Sequence, residues 1–332
     1  MARIFLTHPP GPLANYYGAR AVAGLKAVGE VRFNTAGREL STPELIEAAR
    51  GCEIIVSYRQ TPGEAQLFAN SPDLVAFSRC AIDIRNVNVA AASAAGILVT
   101  QASAGFIASV AEWSVGAMVD LGRQLTASTL SYRAGTVPVA PMGRQLKGAT
   151  LGVIGYGSIG RYLADLGAAL GMAVLVCDPH AKLAMSPGTD IAQVELPELL
   201  ARADYVVCLV VANEQTENLM NAAAFAQMKP GAFFINPSRG NLVDETALRE
   251  ALDSGHVGGC AMDVGRDPDQ MPTPELARHP KVIATPHLGG LTPQAIEHQS
   301  METVAQAAEI IKGRAPKGAV NAEHWTKKKL LS

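Results

Sequence analysis

Short runs of consecutive apolar residues recur along the chain, and between them apolar positions return every three or four residues. The runs include Ile4 to Thr7, Glu53 to Ser57, Thr150 to Ile154, Met172 to Cys177, Tyr205 to Val211, Ala232 to Ile235, Gly259 to Met262 and Val282 to Ala284. Unbroken hydrophobicity over so short a span suits a parallel strand covered on both faces, whereas a strand with one wet face would alternate. Val110, Trp113, Ala117, Met118 and Leu121 share one helical face, and so do Leu163, Leu166 and Leu170. Thr42-Pro43-Glu44 reads as a helix start before the strand at Glu53, and Pro293 to Lys312 as a last helix. Alternating strands and helices predict an α/β protein with parallel sheets, and 332 residues suit about two domains with their own cores.

Composition narrows the class. A formal net charge of −2 with 17% charged residues, and no block of like charge, argues against nucleic acid or an anionic membrane as partner. Lys327-Lys328-Lys329 is locally basic and reads as a solvated terminus. No apolar run approaches the roughly 18 residues of a membrane span. The segment Ala2 to Thr7, ending at His8-Pro9-Pro10, is too short for a signal-peptide core. A soluble, cytoplasmic protein is expected. Cys52, Cys80, Cys177, Cys208 and Cys260 are odd in number and lack ligand spacing, so buried free thiols are expected and no metal site.

The strongest local signal is Gly155-Tyr156-Gly157-Ser158-Ile159-Gly160, which follows the Thr150–Ile154 run and opens the helical pattern through Leu170. Gly155 permits a tight turn, Gly157 leaves room for a pyrophosphate, and Gly160 lets helix and strand approach closely. The helix start then offers free N–H groups and a positive dipole end to phosphate. Asp178 lies 18 residues beyond Gly160, at the end of the next run. A carboxylate there accepts hydrogen bonds from ribose hydroxyls and repels a 2′-phosphate, which predicts NAD(H) as cofactor.

Three further run ends carry polar groups: Pro237-Ser238-Arg239-Gly240-Asn241, Asp263, and His287-Leu288-Gly289-Gly290. Each lies just beyond a predicted parallel strand, where open α/β sheets bind ligands. A guanidinium fork suits a planar carboxylate, and an imidazole can move a proton near neutral pH while a hydride moves at carbon.

With these residues the chain resembles the D-isomer-specific 2-hydroxyacid dehydrogenases, the group of D-lactate, glycerate and 3-phosphoglycerate dehydrogenases and glyoxylate/hydroxypyruvate reductases. The resemblance covers nearly the whole chain: the glycine motif with Asp178, Met228-Lys229-Pro230-Gly231 through Arg239 to Glu245, Ala261-Met262-Asp263-Val264, and Thr285-Pro286-His287. It implies two doubly wound parallel-sheet domains, Rossmann-like or flavodoxin-like, with an active-site cleft between them. Residues 1–101 and 290–332 would form a discontinuous substrate-binding domain and residues 102–289 the NAD-binding domain. Arg239 would bind the substrate carboxylate and His287 would be the general acid/base, with Asp263 on the nicotinamide carboxamide. Cofactor neighbours by the same resemblance are Val110, Tyr156, Ser158, Ile159, Pro179, Val210, Val211, Thr216, Ser238 and Gly289. The expected reaction is NAD-dependent interconversion of a D-2-hydroxy acid and its 2-oxo acid, in a homodimer joined through the helical region after Val110.

Two stretches depart from the family's pattern. The family pairs the histidine with a glutamate, usually followed by proline, which stabilises the imidazolium. Here the segment reads Asp263-Val264-Gly265-Arg266-Asp267-Pro268-Asp269. Either Asp267 substitutes, which is the favoured reading, or Asp269 does, or His287 lacks a carboxylate partner. The family also presents a glycine-rich loop to the substrate carboxylate. This chain has Arg79-Cys80-Ala81-Ile82-Asp83-Ile84-Arg85-Asn86, one residue longer and without glycine, with Ala81, Ile82 and Asp83 nearest the substrate. Arg79, Arg85 or the Tyr58-Arg59 pair would offer a second anion site, or else serve as surface or interdomain charges. An NAD(H)-responsive corepressor-like protein and a formate- or phosphite-type dehydrogenase are the competing functions. The other histidines lack ligand spacing and read as structural, His8 at the end of the first strand included. Trp113 and Trp325 read as packing residues.

Overall fold

A computed structural model describes residues 1–181, 183 and 190–331. The chain divides into two compact units, Met1–Phe106 with Thr292–Ser332, and Ile107–Leu291.

The first unit is built on a five-stranded parallel sheet: β1 (Arg3–Leu6), β2 (Glu30–Phe33), β3 (Ile54–Ser57), β4 (Ala76–Arg79) and β5 (Leu98–Gln101), in the order β2-β1-β3-β4-β5. This is the flavodoxin-like order. Successive side chains leave opposite faces of a strand, so each apolar run feeds two cores. Ile4, Leu6, Val56 and Leu98 face the layer containing Leu25, Ala307 and Ile310, whereas Phe5, Ile55, Phe77 and Val99 face Leu45, Leu67 and Phe68. Edge strand β2 exposes Glu30 and Arg32 and half-buries Val31 and Phe33, the alternation of a partly wet strand.

The segment after Thr292 completes this unit. Helix Pro293–Ile311 packs on helix Ala19–Val28 and carries the buried Gln306 to the sheet. Gln306 accepts hydrogen bonds from Ser78 Oγ (3.0 Å) and Thr100 Oγ1 (2.8 Å) and donates to the carbonyls of Gln101 (2.9 Å) and Lys317 (3.1 Å). Both polar ends of the amide are thus satisfied out of water. Asn321 accepts from Val99 N–H and donates to Ser93 Oγ and the Ile97 carbonyl. Trp325 is buried in the same core and donates its indole N–H to the Val75 carbonyl. The basic tail departs from the expected solvated terminus at its first residue. Lys327 Nζ donates to the carbonyls of Ser71 (3.0 Å) and Pro72 (2.9 Å), and partial burial lowers its pKa.

The second unit holds a seven-stranded parallel sheet: β6 (Thr150–Ile154), β7 (Ala173–Cys177), β8 (Ile191–Gln193), β9 (Tyr205–Cys208), β10 (Ala232–Asn236), β11 (Val257–Met262) and β12 (Val282–Ala284). The order is β12-β11-β10-β9-β6-β7-β8. The chain runs outward through β7 and β8, then returns to the other side of β6 as β9, so a topological switch point lies between β6 and β9. Helices Ile107–Arg123 and Ser158–Ala169 pack together on one face, around Met118, Leu121, Leu163 and Val153. The other face buries Leu199, Phe225, Phe234 and Leu248. Strand β9 stops at Cys208, three residues before its apolar run ends, and Val211 stands 76% exposed beyond it.

Candidate active site

Gly155, Asp178, Val210, Arg239, Asp263 and His287 all follow the C-terminal ends of strands of the second sheet, along the edge where doubly wound folds bind ligands. Gly155 (φ +96°) turns the chain after β6, and its N–H donates to the Cys177 carbonyl at 2.8 Å. A Cβ on Gly155 would lie 2.8 Å from the Leu209 backbone, and one on Gly160 only 2.1 Å from the Gly155 carbonyl oxygen. Gly157, at the N-cap of helix Ser158–Ala169, is different: a Cβ there would meet no protein atom within 4 Å. The fold itself does not need glycine at 157, but an anion approaching the N–H groups of this helix start would. That open space fits the pyrophosphate of a dinucleotide.

Asp178 ties the glycine loop to the end of β7. Its Oδ2 accepts the Tyr156 N–H at 2.7 Å, and its Oδ1 accepts from His180 (2.8 Å) and Ala181 (3.2 Å). Burial pushes its pKa up, but these three donors outweigh it and hold the carboxyl below its ordinary range. One of about four acceptor positions is left for a ribose hydroxyl. Of the remaining expected cofactor neighbours, Tyr156 is buried under the Arg161 guanidinium (4.6 Å), Ser158 and Pro179 are exposed, and Ile159 is half-buried. Val110 is buried within its helix. Thr216 Oγ1 donates to the Val211 carbonyl and Ser238 Oγ to the Val210 carbonyl, which fixes the loop after β9.

Arg239 sits on a tight loop after β10. Asn236, fully buried, accepts from Ser238 N–H and donates to the Arg239 carbonyl, and the Arg239 Nη1 donates to the Ser238 carbonyl at 2.7 Å. The next residue must be glycine, because a Cβ on Gly240 would fall 2.0 Å from the Gly265 carbonyl oxygen. Gly240 N–H also reaches Gln270 Oε1 at 3.3 Å, and Gly265 N–H donates to the Gln270 carbonyl at 2.9 Å. The Arg239 loop and the loop after β11 are therefore docked backbone to backbone.

His287 follows β12 with a left-handed backbone (φ +53°), a conformation costing a non-glycine residue about 1–2 kcal/mol. Its N–H donates to the carbonyls of Asp263 and Thr285, each at 2.9 Å. The Asp263 carboxylate, 1% exposed, accepts from Thr285 Oγ1 (2.6 Å), Leu288 N–H (2.9 Å) and Gly289 N–H (2.7 Å). Gly289 has no room for a side chain, since a Cβ would stand 2.8 Å from Asp263 Oδ2.

The loop expected to supply a carboxylate to the imidazole takes another course. Asp267 pairs through its backbone N–H with the Met271 carbonyl (3.1 Å), and its carboxylate makes no hydrogen bond or ion pair among the described residues. The chain reverses tightly at Asp269 (φ +57°) and Gln270 (φ +60°), and the Asp269 carbonyl oxygen lies 3.2 Å from His287 Nδ1. A carbonyl can only accept, so this contact places a proton on Nδ1. The sequence pointed to a side chain, most of all Asp267, whereas two consecutive left-handed residues, without a glycine to announce them, also present a main-chain oxygen to the ring.

Residues 115–289 match the family described as D-isomer specific 2-hydroxyacid dehydrogenase, NAD binding domain. (S)-sulfolactate dehydrogenase of Chromohalobacter salexigens is 33% identical over 305 residues, 91% of this chain and 98% of that protein. The chain belongs to the D-isomer specific 2-hydroxyacid dehydrogenase family. D-3-phosphoglycerate dehydrogenase of Rattus norvegicus is 32% identical over 290 residues, 87% of this chain and 54% of that protein, so the chain spans about half the length of this relative. D-lactate dehydrogenase from Escherichia coli has the same fold, with a TM-score of 0.81, 24% identity, and coverage of 96% of this chain and 100% of that one. The matched residues lie within the Ile107–Leu291 unit, which is thus the family's NAD-binding domain, consistent with the open position at Gly157. No group of histidine, cysteine, aspartate and glutamate suited to a metal is found among the described residues, nor a helix long and apolar enough to cross a membrane.

In the first unit of this family member, the loop after β4 is organised by arginines that the sequence offered as anion sites or as surface or interdomain charges. Arg79 is fully buried and donates to the carbonyls of Tyr58 (2.5 Å) and Thr61 (2.9 Å) and to Asn86 Oδ1 (2.5 Å). Burial lowers its pKa to about 10, and no carboxylate bonds to it among the described residues. Arg85 is spent on Asp83, which accepts from its backbone N–H, Nε and Nη2. Ile82 between them is 40% exposed and Ala81 half-buried. His8, fully buried after β1, stands between the rings of Tyr17 and Tyr58, each 5.0 Å away, and burial pushes its pKa down to about 3. All five cysteines are free, and burial raises the pKa of each, Cys208 to about 12.

Proposed function

We propose that the protein catalyses NAD(H)-dependent interconversion of a small D-2-hydroxy acid and its 2-oxo acid. The observation that carries this reading is the convergence of supports in one unit. Arg239 and His287 stand on loops after β10 and β12, and both loops are hydrogen-bonded to the single stretch Asp263–Met271, on the same sheet edge as the glycine loop.

In reduction, the Arg239 fork pairs with the substrate carboxylate and draws the 2-oxo oxygen toward His287. Nε2 of the imidazolium protonates that oxygen, and Nδ1 stays on the Asp269 carbonyl. NADH held at the glycine loop and Asp178 would supply the hydride for C2. The oxidative direction reverses each transfer, with neutral His287 taking the hydroxyl proton. The Asp178 carboxylate gives the preference for NAD over NADP, because it accepts from a ribose hydroxyl and repels a 2′-phosphate. His287 needs no Asp267 carboxylate in this scheme, since the main chain orients the ring.

Two further readings go with it. Leu125, Leu130 and Tyr132 are exposed on helix Leu125–Arg133, and Val137, Val139 and Met142 beyond it are 75%, 92% and 97% exposed. So many bare apolar side chains in one segment fit a homodimer joined there. The free thiols fit a reducing, cytoplasmic compartment.

The test is NADH oxidation against a panel of 2-oxo acids: glyoxylate, hydroxypyruvate, pyruvate, phenylpyruvate, 2-oxoglutarate and sulfopyruvate. Turnover on one class, reduced about 100- to 10,000-fold by either Arg239→Ala or His287→Ala, is the expected result. NADH binding without turnover on any of them would refute the proposal in favour of a cofactor-responsive binding protein.

A further inference from the structure

Arg239 is held from one side by Asn236, whose side chain accepts the Ser238 N–H and donates to the Arg239 carbonyl. On its other side the chain enters the short turn Gly240–Leu242, and the lock on that turn comes from the loop after β11. We infer that Arg266 is a positioning residue for Arg239, acting through the carbonyls of Asn241 and Val243. The inference rests on the reading of Arg239 as the group that binds the substrate carboxylate.

Three observations support it. First, the Arg266 guanidinium spans the turn that follows Arg239: Nε donates to the Val243 carbonyl and Nη2 to the Asn241 carbonyl, each at 3.1 Å. A planar fork suits two acceptors two residues apart, because it is pre-organised and loses little freedom in holding both. Secondly, the same Nη2 bonds the Asn218 side-chain oxygen and lies 2.9 Å from Glu217 Oε1, while the Arg266 N–H donates to Glu245 Oε1 at 3.1 Å. One residue thus joins the loops after β9, β10 and β11 to the start of helix Glu245–Asp253. Thirdly, the loops after β10 and β11 meet at Gly240 and Gly265, which have no side chains to interlock. A Cβ on Gly240 would fall 2.0 Å from the Gly265 carbonyl oxygen, and one on Gly265 would fall 2.5 Å from Pro272 Cα. Bare backbone packed so closely can still slide, and the Gln270 contact to Gly240 N–H is long, at 3.3 Å. Arg266, the residue after Gly265, supplies the shorter bonds that stop it.

The Glu217 ion pair is the lesser part of this lock. Its two side chains are 34% and 41% exposed, so water screens the pair and it contributes little. Methionine at 266 keeps an unbranched stem and removes both carbonyl contacts. The turn then retains its main-chain bonds from Asn218 and Met220 and stays folded, but it loses its short bonds to the loop after β11. Arg239 is freed to move without any change to the glycine loop or Asp178.

The experiment compares the parent protein with Arg266→Met, Arg266→Lys and Glu217→Gln. Lysine keeps the charge but has no fork to span both carbonyls. Turnover is read as kcat and KM for the 2-oxo acid, and NADH affinity by fluorescence titration. Arg239 reactivity is read as its rate of modification by phenylglyoxal, followed by peptide mapping. A positioning role predicts kcat/KM lowered about tenfold or more in Arg266→Met, mainly through a higher KM, and several-fold in Arg266→Lys. Arg239 reactivity should change several-fold in both, NADH affinity should stay within about threefold of the parent, and Glu217→Gln should match the parent within about twofold. If KM and Arg239 reactivity in Arg266→Met stay within about twofold of the parent, the inference is wrong. A fall in kcat/KM matched by an equal fall in NADH affinity, with Arg239 reactivity constant, would also overturn it, making Arg266 a general support of the unit. A parent without turnover would overturn the proposed function alone, because Arg239 reactivity decides the role of Arg266 without turnover. If Arg266→Met does not fold, Arg266→Lys decides by the same measures.

Discussion

Replacing His8 by phenylalanine should flatten the acid side of the stability profile. The imidazole is 1% exposed, packed at 5.0 Å between Tyr17 and Tyr58, and burial holds its pKa at about 3 against 6.5 for a free histidine. The Tyr16 backbone opposes this shift, and the nearby Arg79 cation adds to it by a smaller amount. A group whose pKa is depressed by folding contributes stability that is complete above the unfolded pKa and is lost as the pH falls toward the folded one. The window therefore runs from 6.5 down to about 3. At pH 5 the unfolded chain has gained its proton over about 1.5 pH units while the folded chain has not, which at 1.36 kcal/mol per unit amounts to about 2 kcal/mol. In a unit of this size that is a difference of roughly 4–8 °C in melting temperature. Phenylalanine keeps a planar ring between the two tyrosines and removes the titration. Thermal and urea unfolding of both proteins near pH 7.5 and near pH 5 would measure it, with other acid-sensitive groups cancelling in the comparison. The parent should lose about 2 kcal/mol more than the variant between the two conditions. Parallel losses would show that His8 accepts its proton in the folded state and refute the reasoning.

The glycine motif separates folding from binding. Gly157→Ala should leave the melting temperature within about 2 °C and weaken NADH at least tenfold, whereas Gly160→Ala, whose Cβ would lie 2.1 Å from the Gly155 carbonyl oxygen, should cost about 3 kcal/mol or more in stability. Equal destabilisation in both, measured by denaturant unfolding alongside NADH titration, would contradict the assignment of open space to position 157. Gln306→Leu should destabilise the first unit by about 3 kcal/mol, because it leaves Ser78, Thr100 and two carbonyls without their buried partner. A loss under about 1 kcal/mol would mean that water replaces the amide.

Much of the second unit was legible because β6, β7, β9, β10 and β11 are covered on both faces and therefore read as unbroken apolar runs. Edge strands were harder. β2 alternates like a wet strand, and β8 is a half-exposed tripeptide, Ile191–Gln193, with no run to detect. β4 ends in Ser78 and Arg79, polar residues that are buried only because Gln306, 228 positions from Ser78, and the loops after β3 and β4 supply partners. Such partners are set by topology, and a local pattern carries no trace of them. The same limit applies around His287. Residue types drew notice to Arg239, Asp263 and His287, but the main-chain carbonyl beside Nδ1 depends on the φ angles of Asp269 and Gln270. The glycines were the reverse case, since steric demand at 155 and 160 is written in the residue itself.

The return of the chain to the first sheet after Thr292 has a consequence for synthesis. Residues 107–291 form a contiguous unit and can complete their core while the remainder is still being translated. The five strands from β1 to β5 emerge earlier, yet the groups that receive Gln306, Asn321 and Trp325 stay unpaired until those three residues have been made. During that interval Ser78 and Thr100 lack their amide partner, and the apolar face of Leu6, Val56 and Leu98 lacks the share of its cover given by Ala307 and Ile310. The unit that opens at β1 therefore closes only after the unit inserted within it has been made.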